Sequence, residues 1–174
     1  MPARPTEPQN ASEAPEKKSF DGWRTLLIYG SILAAFYFGH VQIQTYLGER
    51  ALEKVTLERL TLEQALAKAK LSGKPVLADI SAIWCPSCRK LDNQVLAVPS
   101  VQQAIEENFV FTRIEFESEE GQRVQEKYGV KGFPTLLILD SSGEESHKLP
   151  LTFDPEAFKE LLNQKLTAPN NKPS

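Results

Sequence analysis

The sequence predicts an α/β domain with a central mixed β-sheet and helices on both faces, preceded by one transmembrane helix. Three observations lead there. Residues 25–48 contain no charged side chain, a run long enough to cross a bilayer as a helix. From residue 60 onward, short apolar runs of strand length alternate with amphipathic stretches that open on capping signals. Near the C-terminal end, two strand-like runs flank Ser141-Ser142-Gly143, a hairpin signal.

Taken in chain order, residues 1–22 place Pro2, Pro5, Pro8 and Pro15 among polar residues with no apolar period, and a disordered tail is expected. The 24 uncharged residues 25–48 would span roughly 36 Å as a helix. Residues 23–47 are expected to be the membrane anchor, with Trp23, Tyr37 and Tyr46 suited to the interfaces. A cleaved signal peptide and a buried core helix compete with this reading. The long preceding tail and the lack of a small-x-small site favour an uncleaved anchor. Lys17, Lys18 and Arg24 before it nearly balance Arg50, Lys54 and Arg59 after it. A short tail ahead of a long domain then favours a cytoplasmic tail and an exported domain. Residues 48–59 are expected to form a helical stalk, with Leu52, Val55 and the following Leu60 close to one face.

The folded domain is expected over residues 60–166. Thr61-Leu62-Glu63-Gln64 reads as a capping box opening a helix that stops at Ser72-Gly73-Lys74-Pro75. Residues 76–81 read as a buried strand. A helix follows from the cysteine motif to about residue 96, and a second, capped by Ser100 and Gln103, runs to about residue 108. A strand over 109–117, a helix over 121–128 closed by Gly129, and strands over 135–140 and 145–150 come next. Asp154-Pro155-Glu156 caps a last helix to about residue 166. Residues 167–174 are expected to be a disordered tail.

A net charge of −3 argues against nucleic-acid binding by phosphate neutralisation. Two cysteines in 174 residues exclude a disulfide-stapled scaffold. With only His40 and His147 to supplement them, a four-ligand zinc site is hard to build. The cysteines form Cys85-Pro86-Ser87-Cys88, after a buried strand and at a helix start. Two intervening residues bring the sulfurs within bonding reach. The helix N-terminus favours a thiolate at Cys85, which becomes the exposed, attacking thiol, with Cys88 resolving. Pro86 suits the first helical turn. Redox chemistry, half of a metal site and two inert buried thiols all remain open on the pair alone.

Asp79-Ile80-Ser81-Ala82-Ile83-Trp84-Cys85-Pro86-Ser87-Cys88, followed by Tyr128-Gly129-Val130-Lys131-Gly132-Phe133-Pro134-Thr135, resembles the thioredoxin superfamily. Within it, the chain is similar to the C-terminal periplasmic domains of DsbD-type disulfide-interchange proteins. The resemblance covers about residues 60–166 and implies a thioredoxin-like three-layer fold. It also implies a buried acid at Asp79 that moves the Cys88 proton, and a cis proline at Pro134. The backbone of Phe133 would then pair with an extended substrate beside Cys85. Trp84 and Pro86 complete the implied substrate-facing rim, although Trp84 fits a purely structural role equally well. Pro-Ser departs from the commoner Gly-Pro between the cysteines. Known couples span about 150 mV from thioredoxin to strong oxidants, and the position of this one stays open. Glu115, Glu117, Glu119 and Glu120 read as a solvated face, or else as a docking surface for a basic partner.

The resulting expectation is a single-pass protein of the inner membrane, held by residues 25–47, with its domain in the periplasm. It would reduce disulfide-containing proteins and be recharged by a membrane-embedded electron donor of the DsbD type. No metal, no nucleic acid and no cofactor beyond the dithiol is called for. An oxidase or isomerase of the same fold, a tethered binding module and a soft-metal carrier are the alternatives.

Overall fold

The computed structural model describes residues 22–167. The expected disordered tails lie outside the described residues, apart from Gly22 and Thr167, which are helical. The chain divides into two compact units, residues 1–37 and 38–174.

In the first unit the described residues begin helix α1, Gly22–Leu52, of 31 residues. By length and composition α1 can cross a membrane, and none of its most apolar stretch is buried. Leu26, Leu33, Phe36 and Tyr37 all stand exposed. The core helix of a soluble protein is mostly buried, whereas this stretch of α1 stands exposed.

In the second unit α1 runs to Leu52 and stops. The expected helical stalk differs here: residues 53–61 form a turn and an irregular segment. Val55 and Leu57 are both buried in the domain core. Two apolar residues at a spacing of two share a side in extended chain, not in a helix, so burying both favours leaving the helix.

Helix α2, Leu62–Ser72, carries the expected capping box, with Thr61 and Gln64 bonded reciprocally, and closes on Gly73 at φ 72°. Strand β1, Val76–Ser81, is buried along its whole length. Helix α3, Pro86–Leu91, passes directly into a π-helical turn, Asp92–Leu96. Helix α4, Pro99–Asn108, starts one residue earlier than its expected cap. Val98 holds the N-cap position without a side-chain bond and Pro99 supplies the first turn. Strand β2, Val110–Glu115, leads to helix α5, Glu119–Tyr128, capped by Ser118 and closed by Gly129. Strands β3, Thr135–Leu139, and β4, Glu145–Leu149, precede helix α6, Pro155–Thr167, where the Asp154 carboxylate accepts from the Ala157 N–H at 2.8 Å.

The sheet order is β2-β1-β3-β4. β1 and β2 are parallel, in register from Val76 opposite Val110 to Ser81 opposite Glu115. The β1–β3 and β3–β4 pairs are antiparallel. Alternation along β1 sorts its side chains into two cores. Val76, Ala78 and Ile80 join Ala65, Ala69, Val124 and Leu137 on one face. Leu77 joins Leu91, Leu96, Ile105 and Phe158 on the other. Asp79 and Ser81 share the parity of Leu77, so the sheet directs an acid toward the layer that holds the cysteine helix.

Candidate active site

β1 ends at Ser81, and four residues later Cys85 occupies the N-cap of α3. Its backbone is extended (φ −78°, ψ 121°) and its N–H reaches the Ala82 carbonyl at 3.0 Å. Its Sγ accepts from the Cys88 N–H at 3.2 Å. The nucleophile candidate thus takes the place of a capping oxygen and receives one of the free N–H groups of the helix start. Pro86 fills the first helical position and is exposed. Both cysteines are free thiols.

One expectation is corrected. Cys85 retains only 4% of its exposure, with Cys88 at 1%. Ala82 and the two cysteines form a small cluster against which Trp84, Phe116 and Phe133 pack. Phe133 meets Trp84 edge-on at 5.4 Å between ring centres and Phe116 at 4.6 Å. The Phe133–Pro134 peptide is cis. Residues 133 and 134, from the loop before β3, are half-buried. The fold therefore brings Trp84, Cys85, Cys88 and Phe133 into one place, and the aromatic side chains cover the sulfurs.

Asp79 is fully buried beneath β1's end. Its carboxylate accepts from the Ser81 hydroxyl at 2.5 Å and from Arg113 Nη1 at 3.1 Å. Arg113 stands opposite Asp79 in the parallel register, and the same Nη1 reaches Asp92 at 2.7 Å. All three side chains are nearly inaccessible. Burial pushes the Asp79 carboxyl above the ordinary range, against the pull of Arg113 and Ser81. Burial likewise raises Asp92, to about 6, with Arg113 opposing and Asp79 adding to the rise. The Cys88 thiol is pushed well up, first by burial, then by its bond to Cys85, with Asp79 contributing. Two acids share one cation next to a thiol that resists ionisation.

Sequence reasoning missed Asp92 and Arg113. Asp92 lies at the start of the π-helical turn, where the Ala97 N–H reaches back to the Asp92 carbonyl at 2.7 Å. Such turns often mark functional sites, but no residue pattern announces one. Arg113 is visible in the sequence as a lone cation in an acidic strand; only the β1–β2 register shows what it faces.

The acidic stretch is a solvated face only in part: Glu117 and Glu119 are exposed, as expected, whereas Glu115 and Glu120 are half-buried. Glu115 Oε1 accepts from the Ile83 N–H at 2.9 Å, and burial raises its carboxyl. Glu117 accepts from the Trp84 indole N–H at 3.1 Å, and Glu120 from the Leu62 N–H at 2.8 Å. These acids brace the cysteine loop and the start of α2. Among the described residues, no group of three or more His, Cys, Asp or Glu side chains is placed to hold a metal ion.

Comparison with known proteins agrees with this geometry. The family model for the thioredoxin-like domain matches residues 62–166. The thiol:disulfide interchange protein DsbD of Escherichia coli K12 is 31% identical over 128 residues, which cover 71% of this chain and 21% of that protein. The chain thus spans about a fifth of the length of the curated relatives it matches. Among solved structures, the oxidised C-terminal domain of Neisseria meningitidis DsbD is 29% identical with a TM-score of 0.52, over 63% of this chain and 99% of that one. A thioredoxin from Thermus thermophilus is 30% identical with a TM-score of 0.54, over 63% of this chain and 87% of that one. With a dithiol at a helix start, a mixed four-stranded sheet and a matching family model, the chain belongs to the thioredoxin-like domain family.

Proposed function

We propose that this protein is a membrane-anchored thiol–disulfide oxidoreductase that reduces disulfides of periplasmic partner proteins. The observation that carries the reading is Cys85 Sγ at the N-cap of α3, receiving the Cys88 N–H, with Cys88 buried behind it. The Cys85 thiolate attacks one sulfur of a partner's disulfide, forming a mixed disulfide and releasing the first partner thiolate. Cys88 then gives up its proton and attacks Cys85 Sγ, releasing the second partner thiol and leaving the Cys85–Cys88 disulfide. Two electrons pass to the partner.

Burial makes the Cys88 thiol hard to ionise, so the second step needs a proton acceptor. Asp79, raised by burial, is the assigned acceptor, with Arg113 and Asp92 setting its charge. The Phe133 backbone beside the cis Pro134 is the assigned contact for an extended substrate segment, entering between Trp84 and Phe133. A membrane-embedded dithiol donor of the DsbD type returns the two electrons. The similarity to DsbD supports this direction, and the exposed apolar length of α1 supports the anchor.

The test is a Cys88→Ser variant of the full chain, which stops at the first step. It is expected to accumulate partners as mixed disulfides that Cys85→Ser does not form and that dithiothreitol releases. Wild type should reduce insulin disulfides. If no species is trapped and wild type shows no thiol exchange, the enzymatic reading fails. A Cys85–Cys88 potential near DsbA's instead of thioredoxin's would reverse the direction.

A further inference from the structure

Only one glycine of α1 has a neighbour that would meet a side chain. A Cβ added at Gly30 or Gly39 would meet nothing within 4 Å, whereas one at Gly48 would lie 1.9 Å from the Ile83 carbonyl oxygen and 3.0 Å from its carbon. Glycine costs about 1 kcal/mol relative to alanine inside a helix, so its presence here suits a backbone approach that alanine would block. The approach belongs to a continuous face. Val41, Gln44, Thr45, Gly48, Ala51 and Leu52 are the covered residues between 38 and 52, and they repeat at the three- and four-residue spacing of one helix side.

That face meets the cysteine loop at both ends. At the front, Gly48 lies against the carbonyl of Ile83, two residues before Cys85, while the N–H of Ile83 is held by Glu115. At the back, Arg89, the residue after Cys88, donates from its guanidinium to the Gln44 side-chain oxygen. The Arg89 N–H in turn reaches the Cys85 carbonyl at 3.0 Å. Gln44 and Gly48 are one helical turn apart, so a single turn of α1 brackets the motif.

We propose that this turn of α1 is part of the redox site, with Gly48 and Gln44 as positioning residues that hold the Ile83 backbone and the Arg89 side chain and so set the thiol–disulfide equilibrium of Cys85 and Cys88. The proposal rests on the redox reading above. The last turns of α1 within the second unit then hold the residues on either side of the two sulfurs. A shift of the Ile83 peptide moves the Ala82–Cys85 turn and the N-cap sulfur with it.

The experiment uses the full chain in detergent micelles, equilibrated with reduced and oxidised glutathione. It compares the Cys85–Cys88 equilibrium constant and the rate of insulin reduction. Gly48→Ala is expected to change the equilibrium constant by more than about twofold and to slow reduction by about tenfold. Gly39→Ala, which meets open space, is expected to keep both within about twofold of wild type. Should Gly48→Ala fail to fold, Gln44→Ala decides, since it adds no bulk. It is expected to move the equilibrium constant beyond the same limit, and Gln44→Glu, which keeps an acceptor for Arg89, to bring it back. An equilibrium constant unchanged in folded Gly48→Ala, or in Gln44→Ala when the former does not fold, overturns the proposal. A wild type that equilibrates with glutathione but reduces no protein disulfide would instead sink the redox reading, and the glutathione equilibrium would still show whether the helix acts on the dithiol.

Discussion

Arg113 holds Asp79 and Asp92 together through one nitrogen, at 3.1 and 2.7 Å. Burial pushes the Asp92 carboxyl up from 3.8 to about 6, with Arg113 opposing and the neighbouring Asp79 adding to the rise. The sign of the pH effect follows. Between these values the folded state binds more protons than the unfolded one, so stability falls as pH rises from about 4 to about 6. The Asp92 contribution is on the order of 1–3 kcal/mol, divided with its coupled neighbours. Asp92→Asn is expected to flatten that part of the profile while keeping an acceptor for Arg113. Denaturant unfolding of the full chain at pH 4 and pH 7 measures it; a variant that loses as much stability over this interval as wild type would show that Asp92 is not the titrating group. Asp79 is legible in the sequence because it precedes Cys85 by six residues in a recognisable motif. Asp92 is not, because seven residues separate it from Cys85 along a helix whose π-turn is invisible in residue types.

Between residues 115 and 121 the end of β2 and the start of α5 nearly touch. A Cβ on Gly121 would lie 2.2 Å from the Glu115 carbonyl oxygen and 2.6 Å from that of Phe116, both backbone atoms. Ser118 meanwhile caps α5 by accepting from the Gly121 N–H at 2.9 Å. Gly121→Ala must push α5 away from the strand and strain that cap. A loss of roughly 1–3 kcal/mol is expected, seen as a lower thermal midpoint; an unchanged midpoint would mean the junction yields freely. Most elements are legible because their ends are written locally. Thr61 and Gln64, Asp154 and Pro155, and Gly129 each satisfy or terminate a helix end through their own chemistry. The start of α4 is displaced because Pro99 pre-sets the first turn, which leaves Ser100 inside the helix. The stalk is not legible because Leu52 and Val55 fit a helix, while the burial of Leu57 beside Val55 follows only from the finished core.

For the molecule as a whole, α1 is long and apolar enough to cross a membrane and its apolar side chains stand exposed, which is what the proposed anchor requires. The intact chain is expected to stay with membranes through alkaline carbonate washing, and protease should reach the domain only after the outer membrane is opened. Release by carbonate would remove the anchor; digestion from the cytoplasmic side would reverse the orientation.

The sequence by itself determined the α/β order, the capped helices, the single apolar helix and the dithiol at a helix start. Each of these depends on neighbours within a few residues, whose spacing and chemistry act whatever the rest of the chain does. Tertiary structure alone decided that Cys85 lies under aromatic side chains, that Arg113 meets Asp79 and Asp92, that Glu115 holds Ile83, and that Gly48 presses on the same residue. These contacts join groups far apart in the chain, and strand register and helix docking select them once two apolar cores have closed around β1.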